Sequence, residues 1–369
     1  MTTPLFLFGT LLDPELFEIV SGAPLQARPA RLKDASAHWV AGESFPVLKH
    51  APGHIAKGIV VMPDAAMRSR LDFYELGFGY GVETRTVETD DGPLAVDLYV
   101  PKADWPVGAD WSLADWQVEY GALSRLAARD YMNLRDALTP EAAARAFPQI
   151  RMRAASRLRA EADPSPECFE PQMSGRTITP DRTEQPYIDY FAVREDWLSF
   201  PRFDGVTGPV VKRASFLGGD AVTVLPYDPR TESVLMIRQF RHGAFARGDR
   251  NAWTLEPAAG RIDPEETPED TARRELFEET GVTATSLHLV GRYYPSPGAY
   301  SEYLYSYVAT ADLSTADRGI GGLASEAEDI MSHVVPLDAA MDMITTGAAN
   351  TAPLILSLTW LALNKARLS

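Results

Sequence analysis

An α+β protein of two domains is the fold class this sequence predicts, on three observations. At 369 residues the chain exceeds the length over which a single hydrophobic core keeps growing. Short apolar runs punctuated by Gly and Pro fill two regions, with a helix-forming stretch between them. A polar, Pro-rich segment from Asp163 to Gln185, DPSPECFEPQMSGRTITPDRTEQ, then separates that stretch from the second region. The expected division is a first domain over 1–135, a helical connector and linker over 136–185, and a second domain over 186–369.

Taken in order, PLFLFGTLL at 4–12 reads as a buried strand running into a turn. It lacks a basic flank and meets acids soon after, which argues against a secretory leader. KGIVVMP and LAVDLYVP are further strands, and a helix is expected around Pro63–Glu75. Residues 110–161 turn helical, with a proline inside the second of two helical runs. Strands resume with YIDYFAVRE, VVKRASFL, DAVTVLPYD and SVLMIRQFR, and TAPLILSLTWLALNKARL closes the chain as a helix. The net charge of −16 argues against a general nucleic-acid or anionic-membrane binder, because phosphate attraction needs a basic face. No run approaches ~18 uninterrupted apolar residues, so no membrane span is expected. The single cysteine, Cys168, excludes an intrachain disulfide and fits a reducing cytoplasm, the expected location.

The most informative stretch is GRIDPEETPEDTARRELFEETGV at 260–282. Thr267 suits an N-cap, Pro268 the first helical position, Glu269 and Asp270 the first turn, and Gly281 the left-handed residue past the end. Those signals delimit a helix of about 13 residues. On it Glu275 and Glu279 are i,i+4 neighbours, with Glu278 three positions from Glu275. Carboxylates so placed repel one another unless a cation joins them. A hard divalent ion, Mg²⁺ with Mn²⁺ as an alternative, takes such oxygens and also binds substrate phosphates. The plainer reading is a solvated acidic face on which Arg273 and Arg274 make ordinary surface pairs.

The spacing, Gly260, five residues, Glu266, seven residues, then Arg274 to Val282, resembles the Nudix box at every fixed position. The flanks, VVKRASFLGGDAVTVLPYDPRTESVLMIRQFR before it and YYPSPGAYSEYLYSYVA after it, resemble the ADP-ribose pyrophosphatase branch of that superfamily. The resemblance implies an α/β/α sandwich for the second domain and hydrolysis of ADP-ribose, or a related nucleoside diphosphate sugar, to AMP and ribose 5-phosphate. It implies Glu275 and Glu279 as main metal ligands, with Glu278, the Ala259 carbonyl and Glu328 joining them. It implies Glu326 as the base for water, Arg241 as the phosphate grip, and a Glu266–Arg274 pair orienting the loop. Pro297 lies sixteen residues past Gly281, where that branch carries a proline, and Glu302 matches a substrate-side acid. Pro297 also reads as a hairpin corner, Glu256 as a structural or a substrate contact, and Glu326 and Glu328 as solvated loop acids. Tyr187, Tyr190 and Phe191 are open to core packing or to stacking on adenine. The family pattern further implies a homodimer formed through this domain.

In the first domain FLFGTLL at 6–12, LDFYELGFGYGVETRTV at 71–87 and VDLYV at 96–100 resemble the gamma-glutamylcyclotransferase-like family. That implies a mixed β-barrel in which Gly9, Thr10 and Leu11 offer backbone N–H groups to substrate and Glu75 is the acid/base. Phe8 stands where the family has tyrosine, and Val82 where many relatives have arginine. Three functions therefore compete: a Nudix hydrolase with an appended barrel, a cyclotransferase, and a non-catalytic ADP-ribose sensor. The full carboxylate set favours the first, since a sensor has no need of it.

Overall fold

The computed structural model describes residues 3–166, 175, 178–316, 319–323 and 328–368. The chain divides into two compact units, Met1–Leu158 and Arg159–Ser369.

The first unit is built on β1 (Leu5–Leu7), β2 (Ala27–Val40), β3 (Pro46–Val61), β4 (Tyr80–Thr89), β5 (Gly92–Pro101) and β6 (Val107–Asp110). Pairing runs β3-β1-β5-β4-β2, and β2 returns to β3 from Ala27↔Val61 to Trp39↔Pro46, so five strands close a barrel and β6 joins β2. Inward-facing Phe6, Leu32, Val60, Val87 and Leu98 fill it. Helix α1 (Pro14–Ser21) starts at Asp13, whose carboxylate accepts the Leu16 N–H at 2.8 Å, and ends at Gly22. Helix α2 (Ala65–Leu76) starts at Asp64 and ends at Gly77, which leaves Glu75 in its last turn. Helices α3 (Leu113–Glu119), α4 (Gly121–Met132) and α5 (Pro140–Ala162) follow, with Pro148 inside α5.

The second unit opens with a three-stranded antiparallel sheet, β7 (Arg182–Ile188), β8 (Ala192–Leu198) and β9 (Val211–Leu217). Its main sheet contains β10 (Ala221–Asp228), β11 (Ser233–Phe240), β12 (Trp253–Glu256), β13 (Ala258–Arg261), β14 (Ser286–Tyr293), β15 (Leu304–Thr310), β16 (Ile320–Gly321) and β17 (Ile330–Pro336). The helices are α6 (His242–Arg247), α7 (Pro268–Thr280), α8 (Leu337–Thr346) and α9 (Ala352–Asn364). The order is β14-β15-β10-β11-β17-β16. Strands β10 and β11 pair only beside their hairpin, at Tyr227↔Val234 and Asp228↔Ser233, and then diverge. Into that fork run β12, paired with β11, and β13, paired with β10.

Alternation sends Val222, Val224, Leu235 and Ile237 to one face, against Ala272 and Leu276 of α7. Leu225, Tyr227, Val234 and Met236 go to the other, against α8 and α9. The result is an α/β/α sandwich. Strand β10 is buried along its whole length, which is why AVTVLPYD shows no polar alternation. Among the described residues no helix is long and apolar enough to cross a membrane.

Candidate active site

The caps of α7 act as their residue types require. The Thr267 hydroxyl accepts the Asp270 N–H at 3.2 Å, Pro268 opens the helix, and Gly281, at φ 71°, closes it. With those limits Glu275 and Glu279 reach back to β13 across the fork. Gly260 on β13 has no room for a side chain, because a Cβ there would lie 1.9 Å from the Glu275 carboxyl. One residue earlier, the Ala259 N–H donates to Glu279 Oε2 at 2.9 Å.

Arg274 ties the acids together. Its Nε and Nη2 donate to Glu266 at 2.9 and 2.8 Å, and its Nη1 to Glu275 at 2.8 Å and Glu278 at 3.0 Å. The Thr271 hydroxyl adds a bond to Glu266 at 2.7 Å. The Arg274 fork therefore holds the Glu266 carboxyl below the usual carboxylate range. The deeper acids behave oppositely. Burial pushes Glu275 up to about 7 in spite of its bond to Arg274. Burial pushes Glu279 up to about 9, and the negative charges of Glu275 and Glu328 add to that shift. Glu279 is 1% exposed, and its Oε1 has no hydrogen-bond partner.

Among the described residues no three acidic, histidine or cysteine side chains form a ready cation cage, and Arg274 holds Glu275 and Glu278 instead. The donor set still fits a hard divalent ion. A buried carboxylate oxygen without a partner is costly, and the neighbouring charges raising Glu279 are further carboxylates. Glu328 stands at the foot of the acidic loop, the sequence segment after Leu323 that carries Glu326 and Glu328, and its Oε2 accepts the Leu323 N–H at 3.2 Å. Glu326 lies outside the described residues.

Strand register brings Arg241 and Glu256 together. Ile237 pairs with Glu256 on the β11–β12 ladder, and Arg241 follows β11 directly. Its Nε and Nη2 grip both Glu256 oxygens in a fork, with Nη2–Oε2 at 2.7 Å. The Arg241 charge acts on both Glu279 and Glu302, so the arginine is within reach of each. Arg238 is on the other face of the sheet, beside Met236, and lines a separate cavity with Trp253 and His333.

The loop carrying Pro297 and Glu302 is tied to β9 through Phe216, whose N–H donates to Ala299 at 2.8 Å. Glu302 is raised by burial, with the Arg261 charge opposing. Beside it the Arg261 guanidinium lies 4.3 Å from the Tyr190 ring centre and 5.4 Å from that of Phe191. Tyr190 and Phe191 remain 54% and 42% exposed, so core packing is not their role. Tyr187 is exposed as well.

In the first unit Gly9, Thr10, Leu11 and Glu75 line one small pocket of about 50 Å³, walled by Phe8, Phe45, Tyr80 and Tyr99. Burial pushes the Glu75 carboxyl up to about 7. Tyr99 is fixed there because its hydroxyl donates to Asp72 at 2.7 Å, and Arg68 holds Asp72 at 2.8 Å.

Comparison with known proteins matches residues 218–358 to the NUDIX domain. An "ADP-ribose pyrophosphatase" of Haemophilus influenzae is 34% identical over 184 residues, 49% of this chain and 84% of that protein. The chain belongs to the Nudix hydrolases. Another "ADP-ribose pyrophosphatase", from Escherichia coli K12, is 38% identical over 162 residues, 44% of this chain and 77% of that protein. A "GDP-mannose pyrophosphatase" of Escherichia coli is 30% identical over 178 residues, 48% of this chain and 90% of its own. Residues 5–118 match "Gamma-glutamyl cyclotransferase, AIG2-like", so this Nudix hydrolase carries that domain in the same chain.

The structure thus gathers Ala259, Glu266, Arg274, Glu275, Glu278 and Glu279 in one cluster, with Arg241 and Glu328 close enough for their charges to act on Glu279. Pro297 and Glu302 belong to a neighbouring loop. Sequence reasoning missed Arg261, although it directly follows the box glycine. What identifies it is a pairing across the sheets, with Tyr190 and Phe191, that no local pattern encodes.

Proposed function

We propose that the second domain hydrolyses the diphosphate bond of ADP-ribose, or of a closely related nucleoside diphosphate sugar, giving AMP and ribose 5-phosphate. The observation that supports this most is the buried Glu279 carboxyl with an unpartnered oxygen, beside Glu275 and in reach of Glu328 and Arg241. A divalent ion, Mg²⁺ by this reading, would be held by Glu275, Glu278, Glu279, Glu328 and the Ala259 carbonyl and would supply Lewis-acid polarisation of the phosphorus. The chain's own groups do the rest. Arg241 grips the diphosphate with the N–H donors that its fork to Glu256 leaves over, and Glu256 fixes the guanidinium in place. Glu326 takes the proton of the attacking water as the new P–O bond forms and the bridging P–O bond breaks. Arg274 and Glu266 keep the box carboxylates oriented. Tyr190 and Phe191, backed by Arg261, offer exposed rings to the base.

The test is hydrolysis of ADP-ribose, GDP-mannose, NADH and diadenosine polyphosphates with Mg²⁺ and with EDTA. The expected outcome is Mg²⁺-dependent release of AMP and ribose 5-phosphate, fastest from ADP-ribose; turnover of none of the four overturns the reading. A second activity is favoured by the Glu75 pocket, where an acid held near neutral pH faces the Gly9–Leu11 turn. That pocket supports cyclisation of a gamma-glutamyl amine or peptide, and a cyclising activity that survives Glu75→Gln would exclude Glu75 as its acid/base.

A further inference from the structure

Outside the box, the main-chain path of residues 319–323 is set by a contact that no motif describes. Helix α7 ends with carbonyls that lack intrahelical partners, as every helix does. The Gly322 N–H reaches one of them, the Glu278 carbonyl, at 3.4 Å. Directly beside it, a Cβ on Gly321 would lie 1.9 Å from the Glu279 carbonyl oxygen and 2.6 Å from its carbon. Those are backbone atoms of a capped helix, and no rotamer change relieves the overlap. Gly322 has φ +95°, and a Cβ there would lie 2.7 Å from the Cβ of Glu328. From below, β16 pairs with β17 at Ile320↔Met331 and Gly321↔Ile330. Ser332, 1% exposed, fastens the approach by donating its N–H to Gly319 at 3.0 Å and its hydroxyl to Ala316 at 3.0 Å. The neck of the acidic loop is closed by Glu328 itself, whose N–H donates to the Leu323 carbonyl at 3.3 Å and whose Oε2 accepts the Leu323 N–H at 3.2 Å.

We infer that Gly321 and Gly322 are positioning residues that dock residues 319–323 on the last turn of α7 and, through the two Leu323–Glu328 bonds, set Glu328 against Glu279. This rests on the hydrolase reading above. The docking is main chain against main chain, which allows no adaptation at the contact. A methyl group on Gly321 must lift the segment by more than ~1 Å to reach van der Waals distance, and displacements of that size at a reacting centre cost up to ~10²-fold in rate. Arg241 and Arg261 stand on other elements and are not displaced.

The experiment compares Gly321→Ala with wild type in four measurements: kcat and KM on ADP-ribose, Mn²⁺ affinity by calorimetry, thermal melting, and amide hydrogen exchange at 322, 323 and 328 in metal-free protein. Expected are a kcat lower by about 10- to 100-fold with KM within about twofold, weaker Mn²⁺ binding, faster exchange at those amides and a melt that is lowered but still cooperative. Ile320→Ala, at a side chain 79% exposed on the same strand, should behave as wild type. In a Glu328→Ala background, Gly321→Ala should add little, since both changes act through one carboxylate. Wild-type exchange, Mn²⁺ affinity and kcat in Gly321→Ala would overturn the inference, as would full additivity with Glu328→Ala. Should Gly321→Ala fail to fold, Gly322→Ala carries the same cycle. Wild type separates the two readings: if it turns over none of the four substrates, the hydrolase assignment fails, whereas wild-type exchange at 322, 323 and 328 in Gly321→Ala fails the docking alone.

Discussion

Glu279 and Glu75 are both the penultimate residue of a helix, and burial raises the carboxyl of each, to about 9 and to about 7. Their surroundings separate them. Around Glu279 stand Glu275, Glu328 and Arg241, and a main-chain N–H holds one of its oxygens. Around Glu75 stand Tyr74, Tyr80, Tyr99 and Tyr131, each of which feels its charge, and burial alone accounts for its shift. A crowd of buried carboxylates lowers its energy most by sharing a cation. A lone one does so by keeping its proton. The same residue type at the same helix position thus suits two chemistries, Lewis-acid hydrolysis in one domain and proton transfer in the other.

The largest expected effect tests the first half of that comparison. Glu279→Gln keeps the shape of the side chain and its capacity to accept the Ala259 N–H, but removes the charge that a cation would share. Turnover of ADP-ribose should fall by about 10³-fold while the thermal melt is preserved, because the change removes Lewis-acid positioning and not packing. A kcat within a few-fold of wild type would mean that the crowd of acids serves something other than a cation. An intermediate effect is expected at Arg241→Ala, which removes a fork and leaves the box intact. KM should rise about tenfold, roughly 1.4 kcal/mol, with Mn²⁺ affinity unchanged. An unchanged KM would place Arg241 outside the diphosphate site and leave its pair with Glu256 as a structural one.

The helix that carries Glu279 was legible to the residue, because Thr267, Pro268 and Gly281 act locally and the spacing of Glu275, Glu278 and Glu279 is a property of the helix itself. The strands of both domains were legible as apolar runs, and the helix ending near Glu75 as a periodic one. What local pattern could not supply was the partner across the fold. Closing the barrel needs β2 to find β3, and uniting Arg241 with Glu256 needs the register of β12 on β11. The face of Arg238 is settled only once Ile237 is known to pack against α7. Nothing local marks Gly321, since its constraint comes from a carbonyl 42 residues earlier in the chain. The arginine over Tyr190 and Phe191 escaped for the same reason.

The last expected effect, and the one that tests the second half of the comparison, is in stability and leaves the hydrolase activity untouched. Glu75 has an ordinary value of 4.5 and a folded one of about 7. Within that window the native chain retains a proton that the unfolded chain has lost, so stability is fully present below it and falls as pH rises through it. The loss from this one group is about 2 kcal/mol once water at the pocket mouth is discounted. Glu75→Gln cannot ionise and should not share it. Thermal melts of the two proteins should therefore coincide below the window and separate above it, with the variant the more stable. Other raised acids, Glu275 and Glu279 among them, tilt both curves alike, so the difference between the curves reports Glu75 alone. A constant difference across the window would show that Glu75 ionises as freely in the fold as outside it. The pocket would then be wetter than its tyrosine walls imply, and Glu75 would lose its claim to hold a proton for chemistry.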